Sequence, residues 1–583
     1  MCRSKNIVLF IALWLLIQNN FYSQNNSKVW FDGLGRSFFS RDAIVDKLNE
    51  DTISSRNVSS GYNLLDLNTH VNPSKDIEIF AQLRIKNQFG SFFGSGTNIN
   101  VRQLRASGII NNKINFNVGD IFLKQNHFTL YNNNEDLNFY KYSTLNPYMD
   151  IIHYENFYID NRWRLQGIQT DFSYEFDRFI RTFEVDMFIT RPRGSAQLTN
   201  NSFSPDLILG GGSLSSKISN NLFFELNYIN LYEIPSSGTT NISIRNPVYH
   251  SALTYQYKRN NLNLMHKIQS GFSQRNWLLS DIGIDMYDSS YNFTEGMFFE
   301  FENELLNKDS TFSTIIGFRY VDPNFRSSGA QTRRLNFNNF ENTVYPFYTN
   351  NYINREVSLF DITTDENIYN QELYGSLMEF NPMYSNIDPY GLATPNRRGV
   401  YAELNWKSGE VIETNLTTSI FEEVIGQGTT NKRNFLSFLI NTKINLDQIF
   451  NLKKEISFCA FYRNENTSRF GDSISAVNLS SEILNSILNI ELGNKIYLQI
   501  GVNQFKSTGN EFLTNRNGYG VIQSFSAVSY DKMDFLNNVG IYYKLKDNIY
   551  ANIQYNWWGS IFNNSLKTDF NYNRILFIFS VTL

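Results

Sequence analysis

Apolar residues recur at every second position in several stretches of this chain. In the last stretch, Tyr572 to Leu583, one face carries Ile575, Phe577, Phe579, Val581 and Leu583. The stretches Ile77 to Lys86 and Ile549 to Trp557 alternate in the same way, with mostly charged or amide side chains on the opposite face. A period of two puts successive side chains on opposite faces of a strand. Half-apolar strands of this kind are typical of a membrane β-barrel.

The connections between the candidate strands are alternately short and long. Seven are short polar turns, which indicate hairpins: Asn72 to Lys75, Asn111 to Lys113, Glu175 to Asp177, Ser219 to Asn221, Arg259 to Asn261, Gly493-Asn494 and Lys546 to Asn548. Others are long, such as the stretch from Asp120 to Asn161 and above all the stretch from Asp322 to Arg397. This alternation matches the short periplasmic turns and long extracellular loops of outer-membrane barrels.

The strand count follows from these turns. About 21 strands can be counted from Tyr62 onward, and placing both chain ends on the periplasmic side requires one more, for which Val29 to Phe39 is the available segment. We therefore predict an all-β, antiparallel up-and-down barrel of about 22 strands, within a range of 16 to 22. Residues 24–583 form one domain in this interpretation, and residues 322–397 form its longest loop.

The first residues are typical of a secretory signal peptide. Arg3 and Lys5 precede the apolar run Ile7 to Ile17, which is too short to cross a bilayer as a helix. We expect cleavage near Ser23, so that residues 1–23 are the signal peptide and the chain is exported to the bacterial outer membrane.

Composition excludes several other classes. Beyond the signal no run of 18 apolar residues occurs, so a helical membrane protein is excluded. The aromatic content of 16% fits the girdles of a barrel at the membrane interfaces. A formal net charge of -4 without a basic run argues against nucleic acid as a partner.

No arrangement of residues in the sequence indicates catalysis. The five histidines form no His-x-x-x-His pair, and neither a Gly-x-Ser-x-Gly turn nor a Cys-x-x-Cys pair occurs. We therefore expect no enzyme activity, no cofactor and no metal site. Energised uptake of the TonB-dependent kind is also disfavoured, because strands begin by Tyr62 and leave no room for a separate plug domain.

Three carboxylates at spacing two share one strand face, namely Glu300, Glu302 and Glu304. The alternate positions, including Phe299 and Phe301, should face lipid, so the carboxylates should face the lumen and favour cations there. The competing interpretation is that lumen arginines such as Arg319 neutralise them, and it is slightly favoured because crowded carboxylates acquire partners.

Two further groups of arginines are candidates for contact with solutes. Arg162 and Arg164 share a strand face and could select anions in the lumen, although a structural ion pair is favoured. Arg326, Arg333 and Arg334 follow the turn that opens the longest loop. They could hold an acidic sugar or the phosphates of lipopolysaccharide by forked hydrogen bonds. Anchoring of the loop to the barrel is the favoured alternative.

The signal peptide, the amphipathic strands and the terminal stretch Phe579 to Leu583 resemble those of large Gram-negative outer-membrane barrels of the porin or exporter type. The resemblance implies outer-membrane lipid, lipopolysaccharide and the outer-membrane assembly machinery as partners. The leading hypothesis is a passive pore or exporter for small polar solutes. The alternative is a closed barrel that serves as scaffold or accessory subunit of a secretion or surface-assembly complex.

Overall fold

The structure is a computed structural model. It describes residues 28–46, 56–89, 96–134, 144–176, 180–199, 202–234, 242–259, 261–279, 290–337, 343–346, 352–355, 357–517, 520–563 and 569–583. The expected signal peptide, residues 1–23, lies outside these ranges.

Twenty-two strands form one closed antiparallel sheet, in which each strand pairs with the next barrel strand along the chain. The barrel strands are β1 (Val29–Asp46), β2 (Arg56–Ser74), β3 (Ile77–Gln88), β4 (Thr97–Ile110), β5 (Ile114–Leu123), β6 (Trp163–Glu175), β7 (Thr182–Arg193), β10 (Asp206–Lys217), β11 (Leu222–Ile234), β12 (Ile242–Arg259), β13 (Leu262–Leu279), β14 (Ser290–Asn307), β15 (Phe312–Val321), β19 (Arg397–Ser408), β20 (Ile412–Glu422), β21 (Asn434–Asn445), β22 (Ile456–Arg469), β23 (Val477–Gly493), β24 (Ile496–Arg516), β25 (Ile522–Lys546), β26 (Ile549–Phe562) and β27 (Phe570–Thr582). The short strands β8 (Ala196–Thr199), β9 (Ser202–Ser204), β16 (Thr343–Pro346), β17 (Tyr352–Arg355) and β18 (Pro389–Leu392) lie in loops.

Pairing between the first and last strands closes the barrel. The register of β1 and β27 runs from Leu34 opposite Thr582 to Asp46 opposite Phe570. The predicted barrel of about 22 strands is thus confirmed, and so is the first strand that begins at Val29. Because every strand has two partners, no edge is left with unpaired backbone groups among the described barrel strands.

The two ends of the barrel differ in their connections. At one end, the short-turn end, the hairpins are tight, as at Asn111 and Asn112, whose positive φ values of 52° and 54° suit a turn. At the other, the loop end, lie the long joints, including residues 124–162 between β5 and β6 and residues 322–396 between β15 and β19. The predicted alternation of short and long connections is confirmed.

The barrel has an apolar outer face and a largely polar inner face. On β3 the outward Ile79 and Ile85 are 38% and 41% exposed, whereas the inward Arg84 is buried. On β26 Ile553 and Tyr555 point outward, while the amide side chains that alternate with them are buried inside. An apolar outer face on a closed sheet is the form in which strands cross a lipid bilayer. Among the described residues no helix has the length and apolar character needed to cross one.

Within the described ranges three short α-helices accompany the sheet, namely α1 (Asn146–Glu155), α2 (Leu359–Thr364) and α3 (Leu446–Phe450), with a 3-10 turn at Glu366–Ile368. A proline in the first turn starts α1, where the missing N–H costs no helical bond. Tyr148 of α1 and Phe360 of α2 belong to one buried apolar cluster with Leu576 and Ile578 of β27. Part of the inner face of β27 is therefore apolar, and it packs against loop residues inside the barrel.

Candidate functional site: the lumen and its two inserts

Two long loops enter the barrel and occupy much of its lumen. We call the described residues of 124–162, which contain α1, insert 1, and the described residues of 322–396, which contain α2, insert 2. Insert 1 contacts the barrel wall at β1 to β4 and at β26, and insert 2 contacts it at β22, β24 and β25. The inserts also contact each other, since Tyr158 Oη donates to the carbonyl of Asn370 and Asn156 Nδ2 donates to that of Glu366 at 3.2 Å.

A cluster of arginines on the wall holds the end of α1. The Glu155 carboxylate lies 3.0 Å from Nη2 of Arg84, 3.3 Å from Nη1 of Arg36 and 3.7 Å from Nη2 of Arg102. Asp66 of β2 completes the cluster. Its Oδ1 accepts from Nε of Arg84 at 2.8 Å, and its Oδ2 accepts from Nη2 of Arg84 at 2.7 Å. Insert 1 is therefore fixed to β1–β4 by charge-assisted hydrogen bonds inside the barrel.

Insert 2 is held by β25, which is three strands from β1 around the barrel. Ser358 caps α2, and its hydroxyl and backbone N–H both donate to Asp361 Oδ2 at 2.8 Å. The next backbone N–H, that of Leu359, donates to Asp534 of β25 at 3.0 Å. Lys532 of the same strand donates to the carbonyl of Val357 at 2.9 Å. The start of α2 is thereby docked on the wall through its otherwise unpaired N-terminal groups.

Glu300 lies where the wall meets both inserts. Its Oε1 accepts from Arg319 Nε at 3.0 Å and from the Tyr401 hydroxyl at 2.9 Å. Its Oε2 lies 3.0 Å from Nε2 of His127, which belongs to insert 1. Arg319 in turn donates to Asp388 of insert 2 at 3.1 Å. Glu300 and Arg319 are both buried. Glu300 links β14 to insert 1 through His127, and Arg319 links β15 to insert 2 through Asp388.

The three carboxylates of β14 face the lumen and differ in their surroundings. Glu300 is fully buried and ion-paired, whereas Glu302 and Glu304 are half-buried. Glu302 accepts from the Tyr401 hydroxyl at 3.0 Å and lies opposite Lys267 in the register of β13 and β14. The structure thus pairs Arg319 with Glu300, and a selectivity role for the other two carboxylates stays a prediction.

Arg162 and Arg164 have different surroundings in the structure. Arg164 forms an ion pair of 2.7 Å with Asp120, and its guanidinium stacks on Phe157. Arg162 lies just before β6 and lines two cavities of the lumen. Of the two arginines, Arg162 is therefore the one that faces open space in which a solute could be met.

The three arginines of insert 2 are buried rather than displayed at the surface. Nε of Arg334 donates to Oδ1 of Asn132 at 3.2 Å, and its Nη2 to the carbonyl of Asn132 at 3.0 Å. Arg333 donates to the carbonyl of Pro389, and Arg326 to those of Pro323 and Phe325. These are the contacts expected of loop anchoring, and a role of the three arginines in holding an acidic sugar or the phosphates of lipopolysaccharide stays a prediction.

Three adjoining cavities, which we call the lumen passage, run along the wall from β3 to β12. Their volumes are about 390, 450 and 470 Å³. The first two share Arg162 and Gln169, and the last two share Ser215 and Glu225. The third cavity is lined by residues near the short-turn end, such as Lys217. The inserts therefore leave space along one sector of the wall.

A larger groove of about 1060 Å³ lies on the outer face across β7 and β10–β14. Its lining side chains are apolar and outward, such as Met187, Phe272 and Met297, which are 50%, 48% and 55% exposed. Gly210 and Gly212 leave the space because they have no side chain. The groove faces lipid and is separate from the lumen.

Burial changes the acidity of several groups on the inserts. Burial, aided by the charge of Arg334, lowers the pKa of His153 to about 4. Burial raises the pKa of Asp365 and of Glu366 above their ordinary values. Within the described residues no group of three His, Cys, Asp or Glu side chains could hold a metal ion.

Insert 1 has few signals in the sequence. His127, Tyr154 and Glu155 all contact the wall, yet their partners are distant along the chain, and none stands in a motif. The one available signal was Pro147 before an apolar run in a long joint, which is typical of a helix start. It predicts a helix but does not predict where the helix docks.

No protein-family model and no curated protein matches the chain. Among solved structures it is similar to Acinetobacter baumannii OccAB4, with 8% identity over 96% of this chain and 100% of that chain and a TM-score of 0.32. It is also similar to Pseudomonas aeruginosa OccK2 (OpdF) in complex with glucuronate, with 7% identity over 95% and 98% and a TM-score of 0.36. A loop deletion mutant of OmpT, an outer membrane protein of Vibrio cholerae, has 9% identity over 96% and 100% and a TM-score of 0.25. These are outer-membrane barrels, but likenesses this weak assign no function to the chain.

Proposed function

We propose that this protein is a passive pore of the bacterial outer membrane, through which small polar solutes cross by the lumen passage. The observation that carries the proposal is the row of three adjoining cavities, which the inserts leave along the wall from β3 to β12. The apolar outer face supports a membrane location, and export through the same passage would use the same geometry.

The lining of the passage suits weak and multiple contacts with polar solutes. It carries cations and anions together with amides and hydroxyls: Arg105, Lys124, Arg162, Lys217, Asp186, Glu184, Glu225, Gln169, Asn227, Ser213 and Ser215. Opposite charges across a narrow path orient dipolar solutes, and contacts that are each weak allow them to leave again. No chemical step is required of these residues.

The experiment that tests the proposal blocks the passage from within. Ser215 lines two of the three cavities, and the chain beyond residue 23 has one native thiol, Cys459, which is buried. Ser215→Cys should therefore react selectively with a charged methanethiosulfonate reagent. We expect the reagent to reduce the ion conductance of this variant in planar bilayers.

Ser251→Cys is the matched control. Its hydroxyl lies in the outer groove, where Ser251 donates to the Ser270 carbonyl at 3.3 Å. Both variants are treated with the reagent in detergent before insertion into the bilayer, and modification of Ser251→Cys should leave the conductance unchanged. Equal conductance of Ser215→Cys before and after complete modification, measured by mass, would refute the lumen passage as the route.

The second candidate is a closed barrel that serves as an accessory subunit. The observation in its favour is the apolar packing of inserts across the lumen, where α1 and α2 join wall residues in one cluster. A correctly folded barrel that conducts no ions, and that copurifies with a stable partner in mild detergent, would favour this candidate over the pore.

A further inference from the structure

Three arginines meet under the loop end of the barrel, and we call them the arginine trio: Arg275 of β13, Arg326 of insert 2 and Arg516 at the end of β24. Arg275 and Arg326 are 3% and 8% exposed. No ion pair joins any of the three to a carboxylate in the part of the chain that the structure describes. Buried arginines without a counter-charge are uncommon, because each loses hydration that nothing replaces.

Backbone contacts hold the segment of Arg326 beside Arg275. Ser273, two residues before Arg275 and on the same inward face, accepts from the backbone N–H of Arg326 at 2.8 Å. Asn246 also holds this segment by donating to the carbonyl of Arg326 at 3.0 Å. The base of insert 2 is therefore fixed against β13 beside Arg275.

Gly520 contacts the third arginine, Arg516, and lies close to Arg275. Its carbonyl accepts from Arg516 Nη1 at 2.9 Å, and a Cβ placed on Gly520 would lie 2.8 Å from Nη1 of Arg275. Gly520 has a positive φ of 75°, so it combines a left-handed backbone with a close approach to a guanidinium. Gly520, just before β25, thus lies against Arg275 of β13.

Several donor atoms of the trio are buried without an acceptor. Nε and Nη1 of Arg275 and Nε of Arg326 have no hydrogen-bond partner among the described residues. Burial, with the nearby charges of Arg275 and Arg516, lowers the pKa of Arg326 well below its usual range. Tyr390 and Asp322 are the groups that partly offset these charges at Arg326, and neither forms an ion pair with it within the described ranges.

We infer that the arginine trio binds a small oxyanion, of the size of phosphate or of the carboxylate of a solute, and that this anion ties insert 2 and the end of β24 to β13. Guanidinium forks match the geometry of such oxyanions, and a shared anion would satisfy donors from three segments at once. A lipid headgroup on the outer surface cannot supply it, because Arg275 and Arg326 lie buried inside the wall. The inference is independent of whether the lumen conducts.

Thermal unfolding with inorganic phosphate as the probe tests the inference. We expect phosphate to raise the melting temperature of the wild-type barrel in a saturable way, at constant ionic strength set with chloride. Arg275→Gln should bind phosphate about tenfold more weakly or worse, since a hydrogen bond to a charged group contributes about 1.5–3 kcal/mol. Without phosphate the same variant should melt no lower than wild type, because it removes one buried like charge.

The control is Arg191→Gln, which alters an exposed arginine at the loop end that pairs with Asp206. It should keep the full phosphate response. An unsaturable response, a response that chloride reproduces, or an equal phosphate response in Arg275→Gln would overturn the inference. Should Arg275→Gln not fold, Arg516→Gln serves as the second variant, and wild-type crystals soaked in selenate should give an anomalous peak beside Arg275. Well-defined electron density for the three arginines without an anomalous peak between them, at saturating selenate, would also overturn the inference.

Discussion

Arg84 of the barrel wall binds both carboxylate oxygens of Glu155, the last residue of α1. Nη2 of Arg84 lies 3.0 Å from Oε1, and Nη1 donates to Oε2. A carboxylate is unfavourable at the C-terminal end of a helix, where the partial charge is negative. The arginine offsets that charge, so this contact fixes insert 1 across the lumen and determines how much of the lumen stays open.

Glu155→Gln should loosen insert 1. The substitution leaves Arg84, Arg36 and Arg102 buried with one carboxylate fewer, and removal of one partner of a buried pair costs roughly 3 kcal/mol. We expect larger and noisier current steps in planar bilayers and faster proteolysis within residues 124–162. Asp160→Asn is the control for proteolysis, because Asp160 lies in the same insert in an exposed ion pair with Lys124. Equal rates of proteolysis in the two variants would contradict the role of Glu155.

Glu302→Gln should make the pore less selective for cations. Glu302 is half-buried in the lumen wall on β14, two strands from the end of the lumen passage at β12. One unit charge contributes about 1 kcal/mol at about 4 Å in water and less at longer range, so the permeability ratio should change by less than about fivefold. The reversal potential under a salt gradient measures this. Glu300→Gln, on the same face of β14, should instead lower the melting temperature, because it breaks the buried pair with Arg319. If selectivity is unchanged in Glu302→Gln, that residue lies off the conducting path.

The barrel could be predicted from the sequence because its signal is local. Each strand such as Ile77–Gln88 carries its own apolar alternation, and each tight turn lies within a few residues of the strands it joins. The closing partner of β27 then followed from the requirement that both ends lie on the same side.

The contents of the lumen could not be predicted in the same way. His127 meets Glu300 from 173 residues away, and Glu155 meets Arg84 from 71 residues away. Such pairs depend on the three-dimensional path of two loops, which no periodic pattern encodes. The inner face of β27 also departs from simple alternation, because its apolar side chains pack against α1 and α2 rather than against lipid.

Asp42→Asn should weaken the closing pair of strands β1 and β27. Arg574 of β27 binds both oxygens of Asp42 of β1, at 2.7 and 2.9 Å, and both side chains are largely buried. Loss of this forked contact should lower the free energy of unfolding in urea by about 2 kcal/mol. Glu422→Gln provides the comparison, since its pair with Arg398 joins adjacent strands but is exposed and should contribute about 0–1 kcal/mol. Equal losses in both variants would show that closure does not depend on Asp42.

Acid should loosen insert 1 through His153. The pKa of this histidine is about 4 in the folded barrel and about 6.5 when exposed, so the unfolded or undocked state binds the proton more readily between these values. Docking of insert 1 therefore favours the neutral form of His153. The free energy of docking that depends on this neutral form is fully present above pH 6.5 and is lost as the pH falls toward 4. The loss is at most about 3 kcal/mol.

His153→Gln isolates this effect from the acids nearby. Asp365 and Glu366, whose pKa values are raised by burial, favour the docked state as the pH falls and remain in both proteins. The melting temperature of wild type should therefore fall relative to His153→Gln between about pH 7 and pH 5. His266→Gln, which alters an exposed histidine of β13, should follow wild type over the same range. If wild type and His153→Gln keep a constant difference across that range, protonation of His153 does not undock insert 1.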